Sequence, residues 1–121
     1  MFRTLVFLAA MAAAAPAVAE MEIREFQAAK GNFSASTQTY IAGLYQGISW
    51  SNSKLVFDKR QPMYCPPTTF TLNYENVISM LTTHLEHPSA ATMRPDTPIG
   101  VVLLTALVAN FPCQTPPGTR M

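Results

Sequence analysis

Two cysteines, two histidines and seven acidic residues carry most of this chain's capacity for nucleophilic, metal-binding and acid–base chemistry. Cys65 lies in Met63-Tyr64-Cys65-Pro66-Pro67 and Cys113 in Phe111-Pro112-Cys113. A catalytic thiol needs a base beside it, which here means His84 or His87. Each cysteine is instead hemmed by proline and has the other as an obvious partner. His84 and His87, three residues apart, share one helix face, but a zinc site takes three or four ligands and no third donor has matching spacing. Glu75 and Glu86 lie on roughly the same side of one helix and about 16 Å apart by helical rise. That is too far for a glycosidase pair. No glycine-rich phosphate loop and no serine elbow is present. The expectation is a non-enzymatic chain with no metal and no cofactor.

The first residues bear on the cysteines. Arg3, an apolar run from Leu5 to Ala15 and the small-x-small site Ala17-Val18-Ala19 form the pattern of a cleaved secretory signal peptide over residues 1–19. Its apolar run is too short to span about 30 Å of hydrocarbon. Cleavage after Ala19 leaves an exported protein with no membrane anchor. Oxidising compartments let disulfides persist, so a Cys65–Cys113 bridge is expected. The chain's formal charge is +1, and losing Arg3 leaves the remainder near neutral. No basic stripe of the kind that tracks a nucleic-acid backbone is available, so nucleic acid is not expected as a partner.

Helical periodicity organises the rest. At 121 residues the chain is too short for two ordinary domains. Glu20 to Lys30 reads as a short helix ended by Gly31-Asn32. Ser34 or Ser36 caps a second helix, in which Tyr40, Ile41, Leu44, Tyr45 and Ile48 recur at helical spacing, with a tail to about Phe57. Gly43 and Gly47 share a face of it and suggest close approach of another element. Pro62, Pro66 and Pro67 keep the following segment out of a helix. Thr71 is the expected cap of a third helix carrying Tyr74, Val77, Ile78, Leu81 and Leu85, ended by Pro88. A connector follows. Thr97 as cap and Pro98 in the first turn then open a fourth helix. Its stripe of Ile99, Val102, Leu103, Ala106 and Asn110 is widened by Leu104, Leu107 and Val108, so this helix is expected to be the most buried. The sum is an all-α domain, a small bundle of about four helices stapled by one disulfide. It spans residues 20–113, with a flexible tail over 114–121 rich in proline.

What remains for function is surface. Aromatics and arginine anchor protein interfaces. Tyr45, Trp50, Phe57 and Tyr64 flank the most charged part of the mature chain. Two segments are candidates for partner contact. The first offers Lys54, Asp58, Lys59, Arg60 and Tyr64; the second, between His87 and Asp96, offers His87, Arg94 and Asp96.

The order of motifs in the second half resembles the Rap/Tai-type immunity family of Gram-negative bacteria. Its features are a cysteine-proline turn (Cys65-Pro66), a leucine-bearing helix ending in His-Pro (Leu85-Glu86-His87-Pro88, with Leu81 before it), and a helix closing as Ala106-Leu107 through Phe111-Pro112-Cys113. Tyr40-Ile41-Ala42-Gly43 is similar to the family's Tyr-x-x-Gly helix. Coverage runs from about Tyr40 to Cys113. Gln38 and Thr39 stand where many relatives have a further cysteine, so a second bridge is not available. The resemblance implies a periplasmic protein, often a homodimer, that binds and blocks a peptidoglycan amidase delivered by type VI secretion. The alternative reading is a small periplasmic stress chaperone or other periplasmic binding protein. High apolar content and seven methionines favour it. The few carboxylates and histidines available to drive an acid switch weigh against it.

Overall fold

The computed structural model describes residues 20–68 and 72–114. The signal-peptide segment, Thr71 and the tail from Thr115 onward lie outside the described residues. Among the described residues four α-helices form: α1 (Ile23–Ala29), α2 (Ala35–Phe57), α3 (Tyr74–Glu86) and α4 (Ile99–Asn110), with a 3-10 helix over Pro88–Thr92 between the last two. The protein is a small all-α bundle with one disulfide, Cys65–Cys113.

The ends of each helix follow from local chemistry. Lys30 and Gly31 both take positive φ, 49° and 80°, and terminate α1. Ser34 caps α2, its side chain accepting from the Thr37 N–H at 3.2 Å. Beyond Phe57 the Arg60 N–H donates to Leu55 C=O at 2.8 Å and the Lys59 N–H to Val56 C=O at 3.0 Å. Those two bonds are a Schellman motif, with Lys59 in the left-handed position that glycine usually fills (φ 58°). The cap of α3 is Asn73, whose Oδ1 accepts from the Asn76 N–H at 2.8 Å.

The start of α4 departs from expectation. Pro98 is the residue before the first helical turn, not within it, and no side chain caps the end. Thr97 contributes its backbone instead. Its carbonyl accepts from the Ile23 N–H at 3.0 Å, and the Ile99 N–H donates to Met21 C=O at 2.7 Å. The entries to α1 and α4 are thereby zipped together as a single antiparallel bridge between Glu22 and Pro98. Tertiary pairing satisfies backbone groups that a hydroxyl cap was expected to serve.

The apolar stripes converge on α4. Ile99, Val102, Leu103, Ala106 and Leu107 are all buried, against Ile41 of α2 and Val77 and Leu81 of α3. Ile23, Phe26, Tyr64 and Leu72 complete the core, and the Phe26 and Phe33 rings lie 5.2 Å apart. The glycine that mediates close packing is Gly100. A Cβ added there would sit 3.2 Å from Leu44 Cδ1, whereas a Cβ at Gly43 or Gly47 would meet nothing within 4 Å. The expected close approach at those two glycines is absent; their face of α2 is open. Among the described residues no helix is long and apolar enough to cross a membrane.

Candidate functional site

The first candidate segment is held from inside by a residue that no motif announced. Asn52 is buried, 7% exposed, on the inner side of α2. Its Oδ1 accepts from the Met63 N–H at 2.7 Å and from the Tyr64 N–H at 3.4 Å, and its Nδ2 donates to Tyr64 C=O at 2.8 Å. One carboxamide therefore serves the backbone of the turn as a neighbouring strand would. The Cys65 N–H then donates to Phe111 C=O at 2.8 Å, and the disulfide ties the same point to Cys113. The signal available in sequence was a lone asparagine in register with Ile41, Leu44, Ile48 and Leu55 on the inward stripe of α2.

Tyr64, expected as a contact residue, is corrected to a core residue: it is 3% exposed. The Asn52 bonds and the bridge draw its backbone inward, and the ring follows. Burial pushes its hydroxyl above the ordinary tyrosine range, with nearby Tyr45 adding to the rise and the Ser49 hydroxyl partly offsetting it. The charged residues do reach the surface. Lys54 Nζ sits 2.7 Å from Asp58 Oδ1, one turn apart on α2, and 5.4 Å from the Phe57 ring centroid. Lys59 and Arg60 are exposed beyond the helix end. Trp50 and Phe57 are 70% and 81% exposed, so two of the four flanking aromatics lie outside the core.

The second segment is fixed differently. His87 Nδ1 accepts from the Ser89 N–H at 3.2 Å, which caps the 3-10 helix. In the neutral ring this leaves the proton on Nε2. Arg94 forks onto Asp96 with Nε–Oδ1 at 3.1 Å and Nη2–Oδ2 at 2.9 Å. The Pro95 carbonyl accepts from the Arg24 N–H at 3.1 Å. The two candidate segments are not brought together. Arg94 to Thr97 adjoin the start of α4 and Cys65 adjoins its end, about 18 Å away by the rise of a twelve-residue helix.

Between α3 and α4 lies a groove of about 550 Å³. Asn76, Ser79, Thr83, His84, His87 and Asn110 line it over a floor that includes Leu72 and Met80. Among the described residues no Asp, Glu, Lys or Arg lines it. Asn110 Nδ2 donates to Ala106 C=O at 2.7 Å, leaving its Oδ1 as an acceptor. The α4 end of the groove is anchored by the bond between Cys65 and Phe111 and by the disulfide two residues further on. This neutral wall of donors and acceptors went unread in the sequence because its residues lie scattered along the polar face of α3 and at the tip of α4.

Comparison with known proteins finds no matching family model, no similar curated protein and no similar solved structure.

The site's chemistry therefore rests on its own residues. Among the described residues no group of three or more His, Cys, Asp or Glu is placed to hold a metal ion. Both sulfurs are in the bridge. The arrangement presents a hydrogen-bonding groove and two exposed, backbone-tethered segments.

Proposed function

We propose that this chain is a periplasmic immunity protein, an inhibitor that binds a peptidoglycan amidase delivered by type VI secretion and occludes its active-site cleft without chemistry of its own. The reading starts from the order of motifs around Cys65, His87 and Cys113. The observation that carries it is the α3–α4 groove with the adjoining segment from His87 to Asp96. Its walls are neutral and hydrogen-bonding, as suits a polypeptide surface. The groove is bordered by the His87 cap and, beyond Asn110, by the disulfide, while the Arg94–Asp96 pair fixes the adjoining segment. Such pre-organisation lowers the ordering cost of association and favours tight binding.

The test is co-purification with secreted peptidoglycan amidases and rescue of cells that express them in the periplasm. Binding and rescue are expected with the cognate amidase. Arg94→Ala should weaken binding at least several-fold while leaving the melting temperature nearly unchanged. An equal loss of stability would mark Arg94 as structural. Failure to bind or protect against any amidase would sink the reading. Homodimer formation belongs to the same proposal and is read by light scattering. A second reading, a small periplasmic chaperone, draws on the exposed Trp50, Val56 and Phe57; suppression of a client's aggregation would favour it.

A further inference from the structure

The outer face of α2 carries an unusual row of exposed residues. Tyr40, Gly43, Gly47, Trp50, Lys54 and Phe57 follow one another at steps of three and four, so they form one line along the helix. The line is about 25 Å long by helical rise. Tyr40, Trp50 and Phe57 are exposed large residues, and the two glycines between them are open. Soluble surfaces rarely keep Trp and Phe so bare on one line unless something covers them.

Charge decides what covers it. α2 contains no Asp or Glu along its 23 residues. Lys54, Lys59 and Arg60 stand against one carboxylate, Asp58, at the end of the row, so this tip is cationic on a chain of formal charge only +1. Lys59 holds a left-handed backbone position that glycine would occupy without strain. The combination of Tyr, Trp, Phe and flanking cations is the residue set of the membrane–water interface. There amphipathic rings lie at headgroup level and cations find phosphates. The rings project from a helix shoulder two turns apart, and a fluid surface accepts such projections with no matching pocket.

We propose that the outer face of α2, with Lys59 and Arg60 beyond its end, docks on an anionic phospholipid bilayer. The helix lies along the surface, Trp50 and Phe57 enter the headgroup layer, and Lys54, Lys59 and Arg60 meet lipid phosphates. The contact is peripheral. It shares no residue with the α3–α4 groove on which the amidase reading rests, and it assigns Lys54, Lys59 and Arg60 of the first candidate segment to lipid instead of a protein partner.

Trp50 is the chain's only tryptophan and reports the event directly. The oxidised, exported protein is mixed with vesicles of phosphatidylcholine doped with phosphatidylglycerol, and separately with phosphatidylcholine alone. With the anionic vesicles, Trp50 emission should shift to the blue and the protein should sediment; raised salt should reverse both. Removing each cation, as Lys59→Ser or Arg60→Ser, should weaken partitioning roughly fivefold. Phe57→Ser should weaken it further while leaving the melting temperature unchanged. No blue shift and no sedimentation overturns the proposal. Binding that is equal on neutral vesicles, or indifferent to both cation variants, overturns it as well. Phe57→Ser abolishing amidase binding, with vesicles left unbound by the parent protein, would make this face a protein interface instead.

Discussion

Asn52→Ala tests the clamp that sets the turn before Cys65. The substitution removes three bonds, of which those to Met63 N–H at 2.7 Å and Tyr64 C=O at 2.8 Å are short and the one to Tyr64 N–H at 3.4 Å is long. Tyr64 is buried, so its backbone groups lose their partner with no water to replace it; Met63 is partly exposed and is rehydrated more easily. An unsatisfied buried polar group costs about 1–3 kcal/mol, and two such groups with discount for rehydration give a loss of about 3 kcal/mol. Urea unfolding should show a lower midpoint with an unchanged slope. Asn52→Asp sharpens the test because it keeps the shape and removes the donor. At neutral pH a carboxylate would face the Tyr64 carbonyl, and the variant should be at least as unstable as Asn52→Ala. Burial raises that carboxyl's folded-state pKa above about 3.9, its unfolded value. The variant's protonated form, again able to donate, then supplies stability that is fully present below the unfolded pKa. That contribution is lost as pH rises through the folded one. Acidification should therefore rescue Asn52→Asp relative to Asn52→Ala. A loss below about 1 kcal/mol for Asn52→Ala would refute the clamp, as would an Asn52→Asp variant that acid does not rescue.

Four further outcomes follow from the same structure. Reducing the Cys65–Cys113 bridge releases a loop of sequence separation 48. Chain-entropy reasoning puts the cost at about 4 kcal/mol, read as a large drop in melting temperature with reductant. Gly43→Ala and Gly47→Ala should each stabilise by about 0.5–1 kcal/mol in urea titrations, because the added Cβ meets nothing. Gly100→Ala should gain less than either, since its Cβ would press on Leu44. Lys59→Gly relieves the left-handed backbone and should stabilise by about 1 kcal/mol in the same assay. Finally, the Tyr64 hydroxyl titrates above its ordinary value of 10.0 because the ring is buried. Its contribution is complete below that value and lost as pH rises through the folded-state pKa, so Tyr64→Phe should lose less stability than the parent on alkaline titration.

Much of the fold was legible because helical periodicity and capping chemistry are local. The stripe Ile99, Val102, Leu103 and Ala106 marked α4 as the buried helix, Ser34 or Ser36 marked the start of α2, where the cap is Ser34, and Pro88 marked the end of α3. The pairing of Cys65 with Cys113 was legible because only two cysteines exist. The candidate surface was legible only by composition. Lys54, Asp58, Lys59, Arg60, His87, Arg94 and Asp96 are on the surface, but a charged residue's exposure is the ordinary case and says little about which face binds.

Tertiary structure decided what depends on direction and on distant partners. Tyr64 and Trp50 are both aromatic residues near a charged loop, yet one is core and the other open. The difference is Asn52, twelve residues from Tyr64, pulling the turn inward. Gly43, Gly47 and Gly100 all lie in helices, and only the last meets a neighbour, because only the packing of α2 on α4 chooses the contact face. Thr97 has the identity of a cap and acts through its carbonyl, because α1 supplies an N–H across the chain. The sequence by itself determined which segments form α-helices, where those stop and which cysteines pair, since these depend on residues a turn or two apart or on a single available partner; the 3-10 helix over Pro88–Thr92 was read only as a connector. Which side of α2 faces water, and which side chains gather along the α3–α4 groove, had to wait for four helices to bury their stripes against one another.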